Sequence, residues 1–184
     1  MDHHNRRMKI KSIILFLIVL ISLGASSCKK YKPLKLNKTP YLGIELRTDG
    51  YYYYTWDSQG TTRYGITVLY KDGTMLAPSI ASDKSTSLID IDSEISSGNL
   101  YRYNSERQLS WGLFKISNDS IQTSKWFPVF LGASRAGLSK GVILNDTTFE
   151  NTSYQDSHPA GGLPLQVFHF RQFAPKPDST NGFL

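Results

Sequence analysis

Few side chains in this sequence could carry out chemistry, and Cys28 stands out among them by its position. It is the only cysteine in the 184-residue chain, and it directly follows the small residues Ala25, Ser26 and Ser27. A single cysteine excludes an intramolecular disulfide framework and any zinc or iron–sulfur site built from several cysteines. Cys28 is therefore the first candidate functional residue, and its meaning depends on the segment in front of it.

Residues 1–27 have the layout of a targeting segment. Met1 to Lys11 is polar and positively charged, Ile13 to Ile21 is a run of nine apolar residues, and residues 24–27 are small. This order of positive, apolar and small residues is typical of a secretory signal peptide. The alternative is an uncleaved membrane anchor, but the apolar run is about half of the roughly 20 residues that span a bilayer. We therefore expect residues 1–27 to be a signal peptide.

The sequence Ala25-Ser26-Ser27-Cys28 resembles the lipobox of bacterial lipoproteins of the Bacteroidota type. The resemblance implies cleavage between Ser27 and Cys28, transfer of diacylglycerol to the thiol, and acylation of the new amino group with palmitate-like chains. The membrane would then be a partner through these acyl chains. Surface-exported lipoproteins of this phylum resemble one another in an acidic stretch after the cysteine, where this chain has Lys29 and Lys30. The expected location is thus the cell envelope, at the outer membrane facing the periplasm.

The positive charge of the chain is concentrated near its N-terminus. The net charge is +6, yet residues 39–184 carry 12 Lys and Arg against 14 Asp and Glu. A nucleic-acid-binding domain carries its basic patch on the folded part, so no nucleic acid is expected as a partner. Residues 28–40 contain five lysines and two prolines without helical or strand periodicity. We interpret them as a lipidated, lysine-rich tether whose charges favour anionic headgroups.

From Tyr41 onward, short runs of β-branched and aromatic residues are separated by turn dipeptides. Asp49-Gly50 and Asp72-Gly73 are hairpin signals, because type I′ turns need positive φ angles. Asn118-Asp119 and Asn145-Asp146 are weaker turn signals. The pattern predicts an all-β, antiparallel meander of eight or nine strands. The predicted strands are Leu42–Thr48, Tyr51–Trp56, Thr62–Tyr70, Thr74–Ala77, Trp111–Ser117, Ile121–Phe127, Gly141–Leu144, Thr147–Ser153 and Leu165–Phe173.

Closing such a meander into a barrel removes its exposed edges, and a curved open sheet or a sandwich is the alternative. One short helix is predicted near 85–97, where Leu88, Ile91 and Ile95 recur at helical spacing and Asp83 is the candidate N-cap. Its acidic residues are expected on the solvated side, and these are Asp90, Asp92 and Glu94.

Two segments, Trp111 to Ile121 and Gly141 to Phe149, resemble the small lipocalin-like domains of Bacteroidota lipoproteins. The resemblance implies one β domain over 41–174 that binds a small ligand or an envelope partner without catalysis. A polar, flexible tail is expected over 175–184. Two alternatives stay open, namely a structural or interaction protein with a filled core and a hydrolase.

Aromatic residues supply the candidate ligand pocket. Four tyrosines, Tyr51 to Tyr54, precede Trp56, and successive side chains of a strand point to opposite faces. Aromatic side chains with polar tips are suited to holding small ligands. In the alternative interpretation, one set of rings fills the core and the other covers an exposed face. The candidate pocket residues are Tyr52, Tyr54, Trp56 and Trp111.

No catalytic or metal motif is apparent in the sequence. Beyond Cys28 the histidines are His158 and His169, which lie 11 residues apart without clustered acids, so neither a metal nor a cofactor is expected. Gly132 to Gly137 is one residue too long for the G-x-S-x-G nucleophile motif. We therefore predict that the protein is not an enzyme. A hydrolase would need one of these histidines within reach of a serine and an acid.

Three tripeptides resemble the Asp-Ser/Thr acceptor that is used for O-glycosylation in Bacteroidota. Their candidate acceptors are Ser120, Thr147 and Ser179. Because turns favour Asp, Ser and Thr for their own reasons, ordinary turn chemistry is the alternative interpretation.

Overall fold

The computed structural model describes residues 33–80, 82–128, 134–155 and 165–184. Within these residues the chain forms eight antiparallel strands, two short α-helices and two single 3₁₀ turns. The strands are β1 (Gly50–Ser58), β2 (Thr61–Leu69), β3 (Thr74–Leu76), β4 (Trp111–Ser117), β5 (Ser120–Pro128), β6 (Ser134–Asn145), β7 (Thr148–Gln155) and β8 (Gln166–Gln172). The helices are α1 (Leu88–Ser96) and α2 (Asn99–Asn104), and the 3₁₀ turns are Ser82–Lys84 and Gln108–Ser110.

Each strand pairs with its neighbours in chain order, and β1 also pairs with β8, which closes the sheet. The closing register runs from Gly50 opposite Gln172 to Tyr53 opposite His169. The predicted all-β meander is therefore confirmed, and it is a closed barrel of the up-and-down type rather than an open sheet. Closure gives each described strand a partner on both sides, and this pairing is the physical reason that such a meander closes.

The predicted first strand, Leu42–Thr48, is wrong, because these residues form a loop that closes one end of the barrel. Tyr41 and Leu46 are buried in the barrel core, whereas Leu42 and Ile44 are 88% and 91% exposed. The Leu46 backbone N–H donates to the Tyr41 hydroxyl at 2.8 Å, which turns the loop back on itself. Alternation of apolar residues here therefore reflects a plug and not a strand.

The barrel is packed on the inside and on part of its outside. The inner cluster fills the plugged end and consists of Tyr41, Leu46, Tyr52, Leu69, Met75, Phe114, Ile121, Phe149 and Phe168. The outer cluster lies between strands β1–β4 and the helices and consists of Tyr51, Ile66, Val68, Tyr70, Leu76, Ile91, Ile95, Leu100 and Trp111. Both faces of this half of the sheet are therefore apolar, unlike those of a strand with one solvated face.

Helix α1 lies within the predicted 85–97 segment, but its N-cap is Ser87 and not Asp83. The Ser87 hydroxyl accepts from the backbone N–H of Asp90 at 3.1 Å. Ile91 and Ile95 face the barrel, as their spacing indicates. Helix α2, which follows after Gly98 in a left-handed conformation, was not expected from the sequence.

Both ends of the domain contact the barrel, which differs from the predicted tether and tail. In the described part of the tether, the Lys35 backbone N–H donates to Ser124 Oγ at 3.0 Å, and Lys38 pairs with Asp72. At the C-terminus, Phe183 and Leu184 pack against the outer cluster. Residues 33–40 and 175–184 thus cover outer faces of the sheet that would otherwise be exposed.

Candidate functional site

The open half of the barrel contains a cavity of about 640 Å³. It lies at the end opposite the plug, next to the β1–β2 hairpin and the segment that follows β3. Met75, Phe149 and Phe168 belong both to the inner cluster and to the cavity wall, so they form its floor. The barrel is therefore solid at one end and hollow at the other.

Stacked aromatic rings form one side of the cavity. The Phe149 and Phe168 rings are stacked with centroids 4.5 Å apart, and Tyr54 packs on Phe168 at 4.9 Å. Trp56 continues the row at 5.5 Å from Tyr54. Gly65 lies opposite Tyr54 on β2, and a Cβ at that position would collide with the Tyr54 ring. The absence of a side chain at Gly65 thus lets the ring lie across the sheet.

A β-bulge gives the cavity a polar strip. Lys140 pairs with Ser153 but Gly141 pairs with Asn151, so Thr152 is an extra residue in β7. A bulge restores the inward direction after three residues instead of two, which brings Asn151 and Tyr154 to the same face. Asn151 Nδ2 donates to the Tyr154 hydroxyl at 2.9 Å, and this hydroxyl donates to Gln166 Oε1 at 2.9 Å.

The polar strip is not fully satisfied. Among the described residues, the buried Asn151 Oδ1 has no hydrogen-bond partner. A buried acceptor without a partner is unfavourable. A donor from a bound molecule or a water would therefore be stabilised by a hydrogen bond to this atom.

Lys125 on β5 places a cationic side chain in the cavity wall. It pairs in register with Gly112 on one side and Gly137 on the other. Its ammonium lies 5.1 Å from the Phe127 ring centroid, a cation–π contact. Burial lowers the pKa of Lys125 below its usual value, since removing a charge from water disfavours the charged form.

The second cation at the cavity is Arg63, which lies opposite Trp56 near the β1–β2 turn. Among the described lining residues, these two are the only fully charged side chains, and none is a carboxylate. The other titratable lining groups are the phenols of Tyr54, Tyr64 and Tyr154. Burial raises the pKa of both Tyr54 and Tyr154, so these phenols stay neutral at physiological pH.

The structure divides the four predicted pocket residues into two pairs. Tyr54 and Trp56 line the cavity. Tyr52 also points inward, but it lies in the filled half, where its hydroxyl donates to the backbone carbonyls of Arg47 and Asp146. Trp111 does not face the interior, and its indole N–H donates to the Asn104 carbonyl at 3.1 Å beneath the helices. The placement of Tyr52 and Trp111 in a pocket is therefore corrected.

The remaining candidate residues are dispersed. Ser27, Cys28 and His158 lie outside the described residues. His169 is exposed on the outer face, with its ring 5.7 Å from that of Tyr53. Within the described ranges, no group of His, Cys, Asp and Glu side chains could hold a metal ion.

The three candidate glycosylation residues differ in exposure. Ser120 is exposed at the start of β5, whereas Thr147 and Ser179 are partly buried. The Thr147 hydroxyl donates to Asn145 Oδ1 at 2.7 Å, as a turn residue does.

Sequence reasoning missed Lys125, Arg63 and the polar strip. The alternation of Ile121, Thr123, Lys125 and Phe127 on one face contained the signal for Lys125, since its neighbours on that face are inward residues. The signal was weak because a lysine in a strand is more often solvated.

In comparisons with family models, with curated proteins and with solved structures, the chain shows no match. In the part of the chain that the structure describes, none of the helices has the length and apolar character needed to cross a bilayer.

Proposed function

We propose that this chain is an exported lipoprotein, held in the cell envelope by acyl chains on Cys28, whose barrel binds a small apolar ligand without catalysis. The segment up to Cys28 supports export and anchoring through its order of charged, apolar and small residues. The barrel supports binding through its cavity and its row of aromatic rings.

The observation that carries the binding proposal is the hollow half of the barrel. Protein interiors are packed with few voids larger than a water molecule, so an open cavity of about 640 Å³ inside the barrel is unlike a filled core. Small-molecule sites have volumes of roughly 300–1,000 Å³ and are lined by aromatic side chains with a few polar groups. The cavity fits this description, and the alternative of an interaction protein with a filled core is disfavoured by it.

The test is binding of phenylnaphthylamine, a neutral dye that becomes fluorescent in apolar sites. The full chain is held in a lipid-free amphipathic polymer, and the polymer alone is the blank. Thr123→Trp places an indole into the cavity, since Thr123 lines it. Thr55→Trp is the matched control, because Thr55 lies on β1 but is exposed outside the cavity.

We expect saturable binding to the wild-type chain and to Thr55→Trp, and binding at least about tenfold weaker to Thr123→Trp. Circular dichroism and melting curves establish that both variants are folded. Equal binding by the two variants, or no binding to the wild-type chain, would contradict a ligand site inside the barrel.

A further inference from the structure

The charged side chains among the described cavity residues are of one sign, and the environment of one of them indicates what kind of ligand fits. Arg63 and Lys125 are the charged side chains among the described lining residues, and both are cationic. The domain as a whole has slightly more acidic than basic residues, with 14 against 12 over residues 39–184. The overall composition of the domain therefore does not explain why the charged residues of the described cavity lining are both cationic.

Lys125 has no counter-charge of its own among the described residues. Instead, its ammonium makes a cation–π contact with the face of the Phe127 ring. Burial lowers the pKa of Lys125, because the charged form is disfavoured away from water. A buried cation without an anion is unfavourable, and pairing with a negative group relieves the cost.

The residues beside this lysine on both neighbouring strands are glycines. Lys125 is flanked in register by Gly112 on β4 and Gly137 on β6. A Cβ on Gly112 would lie 3.0 Å from both Lys125 Cβ and Met75 Cε, which is closer than ordinary contact. A larger residue at position 112 would thus press on the stem of Lys125.

The rest of the cavity is suited to an apolar body. Its floor consists of Phe149, Phe168 and Met75, and its wall continues through Tyr54 and Trp56. Aromatic faces gain most from flat or unsaturated apolar groups, which stack on them.

Resting on the proposed function, we propose that the ligand class is an amphipathic organic acid whose carboxylate pairs with the Lys125 ammonium and whose apolar body lies among the aromatic rings. The geometry that carries this inference is a partly buried lysine without a counter-charge, flanked by glycines, in an aromatic cavity whose described walls hold no carboxylate.

The experiment measures displacement of phenylnaphthylamine from the full chain by two competitors with the same apolar body. Naphthylacetate carries a carboxylate, and naphthylethanol carries a neutral hydroxyl. The variants are Lys125→Met, which removes the charge, and Lys125→Arg, which retains it. Lys140→Met is the matched control, because Lys140 lies on β6 but is exposed.

We expect the wild-type chain, Lys125→Arg and Lys140→Met to prefer naphthylacetate by about tenfold or more, as a charge-assisted hydrogen bond provides. Lys125→Met should lose this preference while its affinity for naphthylethanol stays within about twofold. Retention of the dye by all variants separates this result from a failure of the cavity itself.

Two results would overturn the inference while leaving a ligand-binding barrel intact. One is a wild-type chain that binds the dye but does not distinguish the two competitors. The other is a preference for naphthylacetate that Lys125→Met leaves unchanged and Arg63→Met removes, which would place the carboxylate at the cavity mouth. A wild-type chain that does not bind the dye would instead contradict the proposed function.

Discussion

Arg171 on β8 binds the Asp92 carboxylate on α1, with Nη2 donating to Oδ2 at 2.5 Å and Nε donating to both oxygens at 3.2 Å. The Tyr51 hydroxyl donates to Asp92 Oδ1 at 2.7 Å. The prediction that Asp92 lies on the solvated side of the helix is therefore wrong. It fastens the helix to the strands at which the barrel closes.

Replacing Asp92 should destabilise the protein more than replacing its cationic partner. Burial and the hydrogen bond to Asp92 raise the pKa of Tyr51, so this phenol remains a donor that needs an acceptor. Asp92→Ala leaves a hydroxyl that is almost fully buried without that acceptor and should cost about 1–3 kcal/mol. Arg171→Ala removes a partly exposed ion pair and should cost about 1 kcal/mol or less. Urea denaturation of the two variants gives the comparison.

The control for this comparison is Glu94→Ala, on the same helix and outside this network. It should change the free energy of unfolding by no more than about 0.5 kcal/mol. A loss for Arg171→Ala that exceeds the loss for Asp92→Ala would show that the ion pair, and not the buried phenol, dominates.

Lys125→Met should stabilise the ligand-free protein at neutral pH by about 1–3 kcal/mol, because it removes a partly buried charge that has no counter-charge among the described residues. The folded-state pKa of Lys125 is below its ordinary value of 10.5. Between the folded-state pKa and 10.5, the unfolded chain binds more protons than the folded chain does. The free energy of unfolding of the wild-type chain therefore rises with pH in this window. The advantage of Lys125→Met should therefore shrink as pH rises through this window. Denaturation at several pH values measures it, and Lys140→Met should show no such trend.

The sequence predicts most of the strands but not which face of each strand is inward. Alternation assigns Tyr52, Tyr54 and Trp56 to one face, and the structure agrees. It cannot assign Trp111, because the helices bury the outer face and make both faces of that half apolar. Whether an aromatic residue lies in the filled or the hollow half depends on the shear of the closed barrel, which is a property of the whole sheet.

Loops and buried charges were harder to predict than strands. Leu42–Thr48 has the alternation of a strand, yet its backbone is bent by the hydroxyl of Tyr41. Tyr41 and Leu46 are buried against barrel residues that are distant in the sequence. In the sequence, only its alternation with inward residues of the same strand distinguishes Lys125 from a solvated lysine. Its burial follows from its register with Gly112 and Gly137, which only the closed sheet defines.

Binding of an organic acid should weaken with rising pH. As pH rises through the pKa of Lys125, which burial lowers, the ammonium loses its charge and the carboxylate loses its partner. The other cavity groups that bear on this titration are Arg63, which stays charged, and the phenols of Tyr54, Tyr64 and Tyr154. Naphthylacetate affinity should fall by about tenfold across the transition, while naphthylethanol affinity stays level. Competition titrations at several pH values test this, and parallel curves for the two competitors would contradict it.

The polar strip of the cavity should contribute to the stability of the fold. Tyr154→Phe removes the hydroxyl that accepts from Asn151 and donates to Gln166. Because both partners lose a hydrogen bond at a partly buried site, we expect a loss of about 1–2 kcal/mol in the free energy of unfolding. Tyr53→Phe is the matched control, since Tyr53 lies on the outer side of β1 against Tyr64 and His169. A smaller loss for Tyr154→Phe than for this control would show that the strip adds nothing to stability.

Membrane attachment should depend on one sulfur atom. One acyl chain gives marginal membrane binding, whereas two or more give stable anchoring, so a fully acylated Cys28 should keep the protein in the membrane fraction. In cells fed radioactive palmitate, the wild-type chain should become labelled. Cys28→Ser should abolish this labelling. The variant should also retain residues 1–27, which mass spectrometry of the purified protein detects from its mass. Ser120→Ala, at an exposed strand end, is the control that leaves labelling unchanged. Labelled Cys28→Ser protein, or wild-type protein that retains its first 27 residues, would contradict the lipoprotein assignment, whereas the cavity experiments would keep their meaning.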